Sequence, residues 1–64
     1  MDDYNRRVLY LLSMGHPVSV RDVATLTFSC ENDVLTAIEQ LKEMGFDVWS
    51  DGESAEIRGQ IDGA

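Results

Sequence analysis

Residues 29–45, SCENDVLTAIEQLKEMG, constrain the fold most strongly, because their apolar side chains recur at the spacing of a helix. Val34, Ile38 and Leu41 follow one another at intervals of four and three, and Leu35 widens the stripe they form. The segment therefore predicts one amphipathic helix of about four turns, ending at Gly45. Acidic side chains occupy much of its remaining surface, namely Glu31, Asp33, Glu39 and Glu43.

The residues before this segment predict a first helix that begins at Asp2 or Asp3, whose side chains favour a helix N-terminus. Gly15 and Pro17 end it, since glycine accepts a left-handed C′ conformation and proline disfavours helix in the residue before it. Its apolar stripe consists of Tyr4, Val8, Leu11 and Leu12, with Leu9 at the edge.

A second, shorter helix is predicted over residues 20–27, because Ser19 and Asp22 form a capping-box pattern with aspartate in place of the usual glutamate. Its inward residues are expected to be Val20, Val23, Ala24 and Leu26. Val18, just before it, is a candidate for a minimal first strand. The second helix is joined to the long third helix by three or four residues. This pair forms a helix-turn-helix pattern.

After Gly45 the apolar residues alternate, which predicts a β-hairpin. Asp51-Gly52 is a strong signal for a two-residue type I′ turn. That turn pairs Ser50 with Glu53, Trp49 with Ser54, Val48 with Ala55, Asp47 with Glu56 and Phe46 with Ile57. The predicted pairing places Asp47 opposite Glu56, two like charges that destabilise a sheet. We expect one domain over residues 1–58 and a flexible tail over residues 59–64.

This order of elements predicts an α+β fold, a winged helix-turn-helix with three helices and a C-terminal hairpin wing. Residues 4–58 resemble the N-terminal domain of bifunctional biotin ligase/repressors and related small bacterial regulators. The resemblance rests on Ser19-x-x-Asp22, on Ile38-x-x-Leu41, and on the run Leu41-x-x-x-Gly45-Phe46-Asp47-Val48. It implies that the third helix is a DNA recognition helix. These motifs are mostly core and capping positions, which specify fold better than function.

The departures from that family fall where DNA would be touched. The family typically offers arginine at the start of the recognition helix and lysine or histidine at its exposed middle. Here those positions hold Glu31, Thr36 and Ala37. The family's wing commonly carries a Gly-Lys-Gly-type tip, whereas this chain has Asp51-Gly52-Glu53. Since cations supply affinity for the phosphate backbone, these acidic replacements argue against binding duplex DNA.

Net charge is −7, and it is unevenly distributed along the chain. Residues 1–28 are neutral, because three aspartates balance Arg6, Arg7 and Arg21. Residues 29–58 carry eight acids against Lys42 and Arg58, a net charge of −6. A surface of that sign repels nucleic acid and attracts basic partners.

Other classes of function find little support in the residues. One histidine, His16, at a helix end cannot complete a catalytic triad, and no glycine-rich phosphate loop follows a strand, so we expect no catalysis. Cys30 and His16 are the only thiol and imidazole, so no metal or other cofactor is expected. The longest apolar run, Val8–Leu12, is too short for a bilayer. A single cysteine and no secretion signal indicate a reducing cytoplasm.

Two hypotheses of function remain. The first is a regulatory module that binds protein, either a second copy or a basic partner, through Glu31, Asp33, Thr36, Glu39, Glu43 and Trp49. The second is a transcriptional regulator that contacts DNA as a dimer or with a partner, using Arg6, Arg7, Arg21 and Lys42. The residues favour the first. Trp49 is either an interface anchor or a packing residue over the end of the first helix.

Overall fold

The computed structural model describes residues 2–60, which form a small α+β domain with three helices and a three-stranded antiparallel sheet. The order is α1 (Asp3–Leu12), β1 (Val18–Ser19), α2 (Val20–Leu26), α3 (Glu31–Glu43), β2 (Phe46–Ser50) and β3 (Ser54–Gln60). The strand order in the sheet is β1-β3-β2. The predicted α+β class, the three helices and the minimal first strand are therefore confirmed.

Local capping determines where the helices begin. Asp2 caps α1, its carboxylate accepting from the backbone N–H of Asn5 at 2.9 Å. Ser19 caps α2 through the N–H of Asp22 at 3.4 Å, as its pattern predicts. The N-cap of α3 is Cys30, so the helix begins at Glu31 rather than at Ser29.

One core lies between the helices and the inner face of the sheet. It is formed by Val8, Leu12, Val20, Val23, Ala24, Val34, Ala37, Ile38, Leu41, Val48 and Ala55. Two predictions of burial were wrong. Ala37 is buried, because it lies three residues after Val34 and four before Leu41 on the same stripe of α3, and Leu26 is exposed at the last turn of α2.

The hairpin pairs in a different register from the predicted one. Ser50 lies opposite Ala55 and Val48 opposite Ile57, a shift of two residues that keeps the same side chains on the inner face. Four residues, 51–54, lie between the paired Ser50 and Ala55 instead of the predicted two, and the Asp51 carboxylate accepts two backbone N–H groups within this wider turn. The like-charge pair with Glu56 does not form, since Asp47 lies opposite Gly59.

A bulge between Asp47 and Val48 shifts the register by one further residue near the start of β2. Gly59, opposite Asp47, has a φ of 151°. Beyond the bulge, β3 continues through Gln60, two residues past the predicted domain boundary at residue 58. Residues 61–64 of the predicted tail lie outside the described residues. No helix within residues 2–60 has the length and apolar character needed to cross a membrane.

Candidate interaction surfaces

The outward side of α3 is an acidic surface, and the buried side of the helix fixes its orientation. Val34, Ala37, Ile38 and Leu41 fix the rotation of the helix against the core. The predicted partner-binding residues of the helix are therefore all exposed, and we call them the acidic α3 face: Glu31, Asp33, Thr36, Glu39 and Glu43. The only basic residue of α3 is Lys42, in its last turn, where it complements the helix dipole.

Glu31, at the start of this face, lies close to a cation from α2. The Arg21 Nε is 3.9 Å from the Glu31 carboxylate, and both side chains are exposed. An exposed ion pair of this length contributes less than about 1 kcal/mol to stability. The consequence of the pair is electrostatic, because the positive charge of Arg21 already lies opposite the Glu31 carboxylate.

The loop between β2 and β3 is organised by the Asp51 carboxylate. Its Oδ1 accepts from the backbone N–H groups of Ser54 at 2.8 Å and Glu53 at 2.9 Å. These two hydrogen bonds, chiefly that from Ser54, lower the pKa of Asp51, since they stabilise the ionised carboxylate. Gly52 has a φ of 95°, which a residue without a Cβ adopts readily. The loop is thus an acidic turn with its own internal hydrogen bonds.

Trp49 lies on the outer face of the sheet, because it alternates with the buried Val48. It pairs across the strands with Glu56, and the Arg58 guanidinium lies 5.2 Å from the centre of its ring. Arg58 also contacts the Glu56 carboxylate at 3.3 Å. Trp49 is therefore half-buried in a cation–π contact on the outer face of the sheet.

A shallow groove of about 570 Å³ lies between α1 and the end of α2. We call it the α1–α2 groove, and its lining residues are Arg6, Arg7, Tyr10, Leu11, Leu26 and Thr27. Within residues 2–60, no carboxylate lies within 4.0 Å of either arginine. The groove thus combines two cations with exposed apolar side chains, and it shares no residue with α3.

Phe28 follows Thr27 in the turn between α2 and α3, and its side chain is almost fully exposed. Its backbone has a φ of 55°, in the left-handed region that disfavours a bulky residue. The adjacent backbone is well fixed, since Ser29 donates its N–H to the Ala24 carbonyl oxygen at 2.8 Å. Phe28 is therefore held outward by a closed turn.

Two partly buried polar contacts that were not predicted from the sequence connect α1 to the rest of the fold. The Asn5 Nδ2 donates to the Gln40 Oε1 at 2.6 Å, joining α1 to α3. The Tyr4 hydroxyl and the Ser29 hydroxyl are 2.8 Å apart, and Ser29 is 2.7 Å from the buried Thr27 hydroxyl. For Asn5 a signal existed, because it precedes Val8 by three residues and so lies on the same stripe.

The predicted nucleic-acid contacts do not line one common site. Arg6 and Arg7 line the α1–α2 groove, and Arg21 faces Glu31 at the start of α3. Lys42 lies at the other end of α3, in a hollow that also contains Thr36 and Glu39. As for ligand sites, no three His, Cys, Asp or Glu side chains in the described part of the chain converge as metal ligands.

Comparison of the chain with protein-family models, with curated proteins and with solved structures finds no match.

Proposed function

We propose that this chain is a non-catalytic regulatory module of the winged-helix type, and that it binds a basic protein partner through the acidic α3 face. In this proposal α3 occupies the position of a recognition helix and the β2–β3 hairpin is the wing. The partner presents lysine and arginine side chains to a surface that, in DNA-binding relatives of such a fold, would itself be basic.

The observation that carries the proposal is the composition of the exposed side of α3. Asp33, Glu39 and Glu43 are exposed there. Within residues 2–60, no arginine or lysine nitrogen lies within 4.0 Å of their carboxylates. The acidic loop with Asp51 and Glu53 has the same sign. Complementary charge of this kind accelerates encounter with a basic partner and suppresses encounter with nucleic acid.

The alternative is a DNA-binding regulator that uses Arg6, Arg7, Arg21 and Lys42. A DNA-binding surface needs its cations on one side, so that several phosphates are neutralised together. Arg21 and Lys42 do not line the groove that contains Arg6 and Arg7. The distribution of these cations therefore favours protein binding over DNA binding. A dimer or a basic partner would have to supply the missing charge.

The test is a pair of titrations of isotopically labelled protein followed by NMR, one with a lysine- and arginine-rich peptide and one with duplex DNA. At about 50 mM salt we expect the peptide to shift amide signals of α3, centred on Thr36 and Glu39, and the DNA to leave them unchanged. Binding of duplex DNA that weakens steeply with added salt would contradict the proposal.

A matched pair of variants separates docking on α3 from general attraction to an acidic protein. Glu39→Lys and Asp47→Lys change the net charge equally, but Glu39 lies on α3 and Asp47 lies on β2. We expect Glu39→Lys to weaken peptide binding roughly tenfold and Asp47→Lys to weaken it by about twofold. Equal losses in the two variants would mean that the peptide has no preferred site on α3.

A further inference from the structure

We infer that two copies of this chain associate about a two-fold axis, with Phe28 of each copy entering the α1–α2 groove of the other. This inference goes beyond the proposed function, because it concerns a different surface and a different partner. It leaves the acidic α3 face free.

The apolar side chains around the groove are the first support. Tyr10 is 67% exposed, Leu26 is 61% exposed and Phe28 is 95% exposed. A single exposed apolar residue is ordinary, whereas large ones gathered around one concavity are typical of an interaction site. Leu26 and Tyr10 line the groove, and Phe28 comes directly after its last lining residue, Thr27.

The backbone at Phe28 is the second support. With φ at 55°, the position favours glycine or asparagine, and phenylalanine there costs free energy. Contacts of the Phe28 side chain within its own copy offset almost none of this cost, because the side chain is almost fully exposed. Burial of the ring against a second copy would supply the missing stabilisation.

The relative position of the ring and the groove indicates a symmetric pair. In a two-fold interface the same patch of both copies must carry the protruding and the receiving element. Here the protruding ring and the receiving groove are neighbours in one chain, since the turn that carries Phe28 directly follows Thr27, which lines the groove. One axis beside this turn brings each ring to the other copy's groove.

Charge favours a second copy as the occupant. The neutral half of the chain, residues 1–28, contains the groove and the ring, whereas residues 29–58 carry −6. Copies that meet through their neutral halves keep the strongly acidic halves apart.

The size of the patch predicts a weak association. A stable interface of standard size buries about 800 Å² on each partner, roughly one fifth of this chain's 4129 Å² surface. Three apolar side chains and two arginines are far fewer than the roughly 20–30 residues that each partner contributes to such an interface. We therefore expect a dissociation constant in the range of about 10–500 µM.

The experiment is sedimentation equilibrium from about 10 µM to about 1 mM, with NMR spectra over the same range. The Cys30→Ser protein is used, because the exposed thiol could otherwise form an intermolecular disulfide. We expect the mass to rise from 7.2 kDa toward twice that value. The amide shifts that accompany it should lie in residues 6–11 and 26–29.

Phe28→Asn tests the central contact without harming the fold, because asparagine tolerates the left-handed conformation. It should raise the dissociation constant at least roughly tenfold and leave the monomer folded. The matched control is Met44→Gln, which removes an exposed apolar side chain at the end of α3 and should leave association unchanged.

Three results would each overturn the inference. The first is a monomer at every concentration up to about 1 mM. The second is a dimer whose dissociation constant Phe28→Asn does not change, and the third is a set of concentration-dependent shifts confined to α3 or the hairpin. A groove that binds an acidic peptide while the chain stays monomeric falls under the first result. None of these results bears on peptide binding by the acidic α3 face.

Discussion

The α1–α2 groove and the acidic α3 face lie on the same small core but differ in almost every surface property. The groove combines arginines with exposed Tyr10 and Leu26, whereas the α3 face combines carboxylates with Thr36 and exposes no large apolar side chain. Apolar contact can hold two surfaces together, and charge can steer a surface toward an oppositely charged one. The difference teaches that one 64-residue domain can present two surfaces suited to two different partners.

The largest effect should come from the core that both surfaces share. Leu41→Ala removes a fully buried side chain of α3 and should lower the free energy of unfolding by about 2–5 kcal/mol. Urea unfolding followed by circular dichroism measures it. The control is Leu26→Ala, which makes the same change in the groove and should cost less than about 1 kcal/mol. A similar loss in both variants would show that Leu26 belongs to the core.

A smaller effect is expected where the two regions are joined. Gln40→Ala leaves the buried Asn5 amide without the acceptor that it has at 2.6 Å, which should cost about 1–3 kcal/mol. Gln40→Glu keeps an oxygen acceptor and should retain most of the stability. If Gln40→Ala is as stable as the parent protein, this contact does not connect α1 to α3 in solution.

The start of α3 offers a gain in stability. Cys30 is the N-cap, and serine at that position provides a stronger hydrogen-bond acceptor for the first-turn N–H groups. Cys30→Ser should raise the free energy of unfolding by about 0.5–1 kcal/mol, measured by thermal unfolding under reducing conditions. Cys30→Ala, which has no acceptor, is the matched control. A gain from alanine equal to that from serine would exclude capping as the cause.

The smallest effect concerns the acidic loop and its dependence on pH. The pKa of Asp51 is lower in the folded protein than its ordinary value of about 3.9. Its ionised form therefore stabilises the fold above that value, and this stabilisation is lost as pH falls through the folded pKa. Asp51→Asn keeps an oxygen acceptor but cannot ionise.

We accordingly expect the stability difference between the parent protein and Asp51→Asn to shrink as the pH falls from about 6 to about 2. Urea unfolding at a series of pH values measures this difference. A constant difference over that range would contradict the assigned role of the carboxylate. Glu53→Gln, at an exposed neighbouring position, should leave the pH dependence of the parent protein nearly unchanged.

Much of the local structure could be predicted from the residues. The stripe of Val34, Ile38 and Leu41 identified α3 and its buried side, and Ser19 identified the start of α2. Such signals are local, since capping and periodicity depend on residues within a few positions of one another. For the same reason the alternation after Gly45 identified the hairpin.

The register of the hairpin could not be predicted from its turn residues. Asp51-Gly52 suits a two-residue turn, but the Asp51 carboxylate can also accept two N–H groups and hold a wider turn. Pairing of β3 with both β1 and β2, together with the bulge at Asp47, accompanies the second arrangement. The balance between the two turns is set by contacts distant in sequence.

By itself, the sequence determined the three helices, the hairpin and the division of the chain into a neutral half and an acidic half. Only the tertiary structure decided which apolar residues stay exposed and which cations share a surface. Periodicity assigns Leu26, Tyr10 and Arg7 to faces of their helices, but it does not say whether another element covers those faces. In this fold none of the described residues fills the space between the end of α2 and the outer side of α1, and that vacancy forms the groove.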